Sequence, residues 1–236
     1  MKSHLQPLAI AANITQAANA RLDQVLLTFG VLVKTFSALT AADAGARDAV
    51  LLSIEKRWSK SDQDVFIAAL VLNPTIKAGP LKHSSKFNSA EIYALFVRLW
   101  VRFFREPQPD SLYRDTMNYL SGSGIYKSMA VNVTGVRGES IKMVSVKKPF
   151  DPLLVWEDSS PGGAEASTSL SRLACHLLVI CPNSACCERL FSTFGNILTK
   201  LRNRTGLTTL ANLAKLKMHL HLNHVETGVV RRRLKR

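Results

Sequence analysis

Residues 182–192 read Pro182-Asn-Ser-Ala-Cys-Cys-Glu-Arg-Leu-Phe-Ser192. A proline and an asparagine disfavour helix in front, and a serine in third place suits an N-cap, so a helix is expected to open at Ser184. At helical spacing Cys187, Phe191, Phe194 and Leu198 then form one apolar stripe. Ser184, Glu188, Ser192 and Gly195 form a neighbouring face that is small and polar, with one carboxylate in its middle, and Arg189 points another way. Small side chains let a second backbone or a ligand come close. The plainer reading makes Glu188 a first-turn acid favoured by the helix dipole and Arg189 an ordinary surface charge.

Outward from this segment the periodicity is helical almost everywhere. Toward the N-terminus a helix is expected over residues 169–180, ended by Pro182. Toward the C-terminus another is expected over 208–222, across a basic turn holding Lys200, Arg202 and Arg204. Earlier in the chain, residues 16–39 are apolar enough for one long helix, and 47–58 carry Val50, Leu51 and Ile54 at helical spacing. Ser61 before Asp62, Gln63 and Asp64 predicts a capped start, and Pro74 predicts a stop near Asn73. Helices are further expected over 89–104, ended by Pro107 and Pro109, and over 110–120, stopped by Gly122 and Gly124. Residues 75–87 and the Ser/Gly-rich 159–169 read as loops, and 141–146 as a short strand.

Composition bounds the rest. Apolar residues make up 47% of the 236, enough for a packed core. No apolar run reaches the roughly 18 residues that a membrane span needs, and no signal-peptide layout opens the sequence, so a soluble intracellular protein is expected. The net charge is +14 and the pI near 10.0, which favours polyanions, nucleic acid ahead of an acidic membrane surface. From Lys200 onward there are ten Lys or Arg and one acid, Glu226. Arg231, Arg232, Arg233, Lys235 and Arg236 suit a nuclear import signal, a solubilising end or DNA backbone contact. Cys175, Cys181, Cys186 and Cys187 lack zinc-site spacing and are expected as buried thiols. His219, His221 and His224 lie close in sequence, but no acid or cysteine stands at suitable spacing, so no metal site is expected. Trp156, after Leu153-Leu154-Val155, reads as a core anchor.

Ser184, Glu188, Arg189, Phe191 and Ser192 match the signature of the hAT transposase superfamily, a Ser followed by Glu-Arg, a residue, then Phe-Ser. Asp151-Pro152 and Trp156 resemble the family's lead-in, and Leu170, Leu173, Ala174 and Leu177-Leu178 resemble its helix before the proline. Lys200, Arg202-Asn203-Arg204 and the leucine-rich last helix resemble its basic turn and dimer helix, while Leu72-Asn73-Pro74 and Lys77 resemble a central segment. The strong likeness spans residues 151–223.

The resemblance implies a ribonuclease-H-like catalytic core interrupted by an all-helical insertion, with two Asp and a late Glu holding divalent metals, Mg or Mn, for DNA cleavage. Glu188 corresponds to the late Glu. Nothing before it resembles the strands that carry the two Asp, nor the family's N-terminal zinc finger. The expectation is therefore a mainly α chain: a helical insertion remnant plus the C-terminal helices of an incomplete ribonuclease-H-like core. Residues 1–125 would be the insertion-like region, 126–168 an irregular linker, 169–224 the hAT C-terminal dimerisation region and 225–236 a basic tail. The implied function is that of a nuclear transposable-element fragment that dimerises through Leu210, Leu213, Leu216 and Leu220. It would contact DNA backbone through Arg189, Lys200, Arg202 and Arg204, with no cofactor, no small-molecule substrate and no cleavage of its own. Two alternatives stay open: a subunit lending Glu188 to a transposase assembled with a full-length copy, and a host-recruited interaction module with no DNA role.

Overall fold

The computed structural model describes residues 2–17, 19–40, 43–81, 87–129, 131, 133–135, 151–158, 168–198 and 205–226, and among them every regular element is helical. The expected strand at 141–146 and residues 159–167 of the loop expected at 159–169 lie outside the described residues. The helices are α1 (Lys2–Thr15), α2 (Leu22–Ser37), α3 (Ala44–Trp58), α4 (Gln63–Leu72), α5 (Ser89–Phe104), α6 (Ser111–Ser121), α7 (Pro152–Asp158), α8 (Ser169–Leu178), α9 (Ala185–Ile197) and α10 (Leu207–Glu226). They fall into two compact units, Met1–Pro182 and Asn183–Arg236. No helix among the described residues is long and apolar enough to cross a membrane.

In the first unit α4 is the central helix. Val65 and every residue from Ile67 to Leu72 are buried, as expected of a helix that is apolar all round. It packs against α2, α5 and α8, while α7 and α6 also lie on α8. Its C-terminal carbonyls have no partner within the helix and no access to water. The fully buried Tyr119 donates its hydroxyl to the Val71 carbonyl (2.9 Å), and Trp156 donates its indole N–H to the Leu72 carbonyl (2.8 Å). Trp156 is thus a core anchor, as its sequence context indicated. The helix ends at Asn73, whose extended ψ of 113° suits the residue before Pro74.

Asn73 also joins two distant parts of the chain. Its side-chain amide donates to Asp23 Oδ2 (2.7 Å), and its Oδ1 accepts from the backbone N–H (3.0 Å) and hydroxyl (2.8 Å) of Thr75. Asp23 is 1% exposed and is forked by Arg21 at 3.1 and 3.2 Å. This network explains a correction. Residues 16–39 are not one helix, because turns follow α1 and Arg21 is extended (φ −120°, ψ 158°). Gln24 accepts the Arg21 N–H at 3.1 Å, and the helix starts only at Leu22. Helix α1 has no counterpart among the expected elements, and it runs through Pro7, a residue that more often breaks a helix.

Ser61 does not cap α4. It donates to the Trp58 carbonyl at the end of α3 (2.8 Å), while Asp62 and Asp64 pair with Arg102 and Arg98 of α5. Helix α5 starts where expected, with Asn88 Oδ1 accepting the Glu91 N–H (2.9 Å). It ends at Arg105 in the left-handed conformation (φ 53°), and α6 ends at Gly122 (φ 67°). A second small core joins α1, α2 and α3 around Ala11, Leu32 and Phe36.

Candidate functional site

The motif helix is α9. Ser184 precedes it as expected, but its side chain does not cap the backbone. The hydroxyl donates instead to Glu188 Oε1 at 2.6 Å, and Asn183 Oδ1 takes the Ala185 N–H at 2.9 Å. A first-turn carboxylate is favoured there by the helix dipole. Glu188 and Arg189 are both exposed. Gly195 makes no close backbone approach, since a Cβ built on it would meet nothing within 4 Å. The apolar stripe is not a core face either: Cys187 is exposed, Phe191 is 67% exposed, Leu198 is 37% exposed and Phe194 is half-buried.

Helix α10 packs on α9. Its four singled-out leucines do not act alike. Leu210 is buried with Ala214, whereas Leu213, Leu216 and Leu220 are 42%, 55% and 45% exposed. At 3.6 residues per turn, positions 213, 216 and 220 share a face, and 210 and 214 share another roughly a quarter-turn away. The expected four-leucine face is therefore an inward pair, Leu210 and Ala214, beside an outward row of three. Leu207 (81%) and Met218 (44%) add to the exposed apolar surface of this helix.

Lys200, Arg202 and Arg204 lie outside the described residues, as do the cations of the tail. His219 Nε2 lies 3.3 Å from Asn223 Nδ2, and no group of three His, Cys, Asp or Glu side chains among the described residues is placed to hold a metal ion. The metal pair implied by the resemblance does not fit this unit, whose sequence from Asn183 on holds only two acids, Glu188 in the first turn of α9 and Glu226 in the last turn of α10. Two metals need several oxygen ligands at once.

The thiols differ from expectation. Cys175 is half-buried, and burial pushes its pKa up, while Cys181 and Cys187 are exposed. In the lead-in, Asp151 Oδ1 accepts the Leu153 N–H (3.1 Å) to start α7. Leu170, Leu173, Ala174, Leu177 and Leu178 are all buried, so this stretch builds core rather than site. Lys77, singled out only through the resemblance, has a geometry that sequence reasoning missed. Its backbone is left-handed (φ 52°), its ammonium lies 5.2 Å from the Tyr119 ring centre, and burial lowers its pKa. Only the Asn73-Pro74 turn hinted at unusual backbone there. The chain matches no family model, no curated protein and no solved structure.

Proposed function

We propose that the chain is of hAT transposase type, a nuclear protein that self-associates through its α9–α10 unit and touches DNA backbone without itself cutting it. The observation that carries the reading is the uncovered row Leu213, Leu216 and Leu220, with Phe191 on the neighbouring helix, in a unit whose described residues bury only Leu210 and Ala214. Contiguous exposed apolar surface marks an association site more often than a solvated face. The Ser184-to-Ser192 signature and the leucine-rich last helix supply the family likeness. The +14 charge, Arg189 and the cations at 200, 202 and 204 supply the attraction for phosphate. Glu188, held by Ser184, is a remnant of a metal site whose other acids this unit lacks.

Sedimentation at several concentrations tests the first part: a concentration-dependent dimer is expected, reverting to monomer in Leu216→Asp. A strict monomer removes self-association. Salt dependence tests the second part, since phosphate contacts weaken linearly on a log–log plot against salt. A flat or absent affinity leaves an interaction module without a DNA role. A second reading rests on the exposure of the Glu188 carboxylate, which leaves it reachable by a full-length copy. In that case Glu188→Gln in this chain lowers cleavage by the mixed assembly.

A further inference from the structure

A groove on the first unit has no part in the function proposed above. Helices α1 and α2 form a hairpin whose outer face carries two apolar pairs at i, i+4 spacing: Ile10 and Ile14 on α1, 51% and 40% exposed, and Leu27 and Val31 on α2, 38% and 61% exposed. Between the two ridges runs a groove of about 650 Å³, floored by Ala11 and Leu32. On the other side of Leu27 and Val31 lies a second groove of about 470 Å³, leading past Gly30 toward Leu81 and Phe87. A Cβ at Gly30 would meet nothing within 4 Å, so this passage opens on free space. Ridges at this spacing with a valley between them are the surface into which the side chains of another helix interdigitate. The lining from Gln24 to Thr35 spans roughly 16 Å of α2, about three helical turns.

The charges choose the occupant. Every side chain lining the first groove is uncharged, and Lys34 is the single charged residue lining the second. Lys34 is exposed and makes no salt bridge among the described residues. The whole chain carries +14, so a second copy brings like charge to this face. The helix with an uncovered leucine row among the described residues, α10, carries Lys215 and Lys217 and no acid before Glu226. We infer that the α1–α2 face is a docking groove for an acidic amphipathic helix of a partner protein, its apolar stripe seated between the Ile10/Ile14 and Leu27/Val31 ridges and a flanking carboxylate on Lys34. This inference does not depend on the transposase reading.

Two synthetic helical peptides test it on the full chain by fluorescence anisotropy. Both carry the same leucine stripe at i, i+3, i+4 and i+7, one flanked by Glu and one by Lys. The Glu peptide is expected to bind about tenfold or more tightly than the Lys peptide, and Val31→Asp, which places a charge in the apolar contact, is expected to weaken it about tenfold. Lys34→Glu is expected to abolish the preference, while Lys127→Glu, outside both grooves, makes the same change in net charge and is expected to keep it. Circular dichroism confirms that each variant is folded. Equal binding of the two peptides, binding indifferent to Val31→Asp, or equal effects of the two lysine variants overturns the proposal. So does self-association that Val31→Asp abolishes in a chain that ignores both peptides, which makes the face an interface between copies.

Discussion

The core around α4 and the α9–α10 pair use apolar residues in opposite ways. In Met1–Pro182 the large aromatics close on one another. Tyr119 and Trp156 lie 5.1 Å apart between ring centres, Tyr126 packs edge-on to both, and the polar tips of Tyr119 and Trp156 satisfy the end of α4. In Asn183–Arg236 the described residues bury Leu210 and Ala214 and leave Phe191, Leu207, Leu213, Leu216 and Leu220 in solvent. The first unit closes a large core around α4 and leaves only its α1–α2 face open, whereas the described residues of the second bury little and leave an apolar side to cover. A helix pair that buries so little cannot offset its own ordering entropy by much, so its stability should depend on what it meets.

The sharpest way to break this comparison is Trp156→Ala. It removes a side chain 1% exposed and orphans the buried Leu72 carbonyl, and a loss of about 3–5 kcal/mol is expected from urea melts of the full chain. A loss below about 1 kcal/mol would mean that the site collapses or hydrates freely, and that the first unit is not the closed core described. Asn73→Ala comes next. It leaves Asp23 buried with Arg21 alone and frees Thr75, for an expected loss of about 1–3 kcal/mol by the same measurement.

Asn73 also shows where sequence legibility ends. Helices α5 and α6 could be read almost to the residue, because Pro107, Gly122 and the i, i+3, i+4 pattern act locally. The end of α4 was legible through Pro74 for the same reason. The break before α2 was not, since residues 16–21 contain neither Gly nor Pro. That helix start depends on Gln24 capturing Arg21, and on an Asp23–Asn73 bond 50 residues apart in sequence. At the candidate site, the placement of Glu188 in a first helical turn was legible. The split of the leucine row was not: Leu210 and Leu213 are neighbours at i, i+3, and only the packing of α10 on α9 decides which turns inward. The thiols mislead in the same way, because the usual burial of cysteine says nothing about the helix face on which Cys187 falls.

A smaller effect tests how dry the aromatic cluster is. Burial, the largest cause, raises the Tyr126 phenol to about 12, and Tyr126 Oη shares a 3.0 Å hydrogen bond with Thr168 Oγ1. The folded state therefore keeps the phenolic proton after the unfolded chain, titrating near 10, has released it. The stabilising contribution is full below pH 10 and is lost as pH rises through 12. Tyr126→Phe should cost about 1 kcal/mol at pH 7 for the lost hydrogen bond, and should make the stability curve flatter than the parent's between pH 10 and 12. Equal slopes in the two proteins would show that water reaches the ring in solution.

The smallest effect belongs to the second unit and is the most informative. Leu216 is 55% exposed, so in dilute solution Leu216→Ala should shift the urea transition by no more than about 0.5 kcal/mol. If the open row is covered by a second copy, that near-zero cost holds only where the chain is monomeric. At protein concentrations that favour the dimer, association stabilises the parent by mass action, and the variant loses part of that gain. The cost of Leu216→Ala should thus grow with protein concentration, whereas that of Trp156→Ala should stay constant. A full-sized cost already present at the lowest concentration would mean that Leu216 is buried within a single chain, and the contrast between the closed α4 core and the open helix pair would fail at its open end.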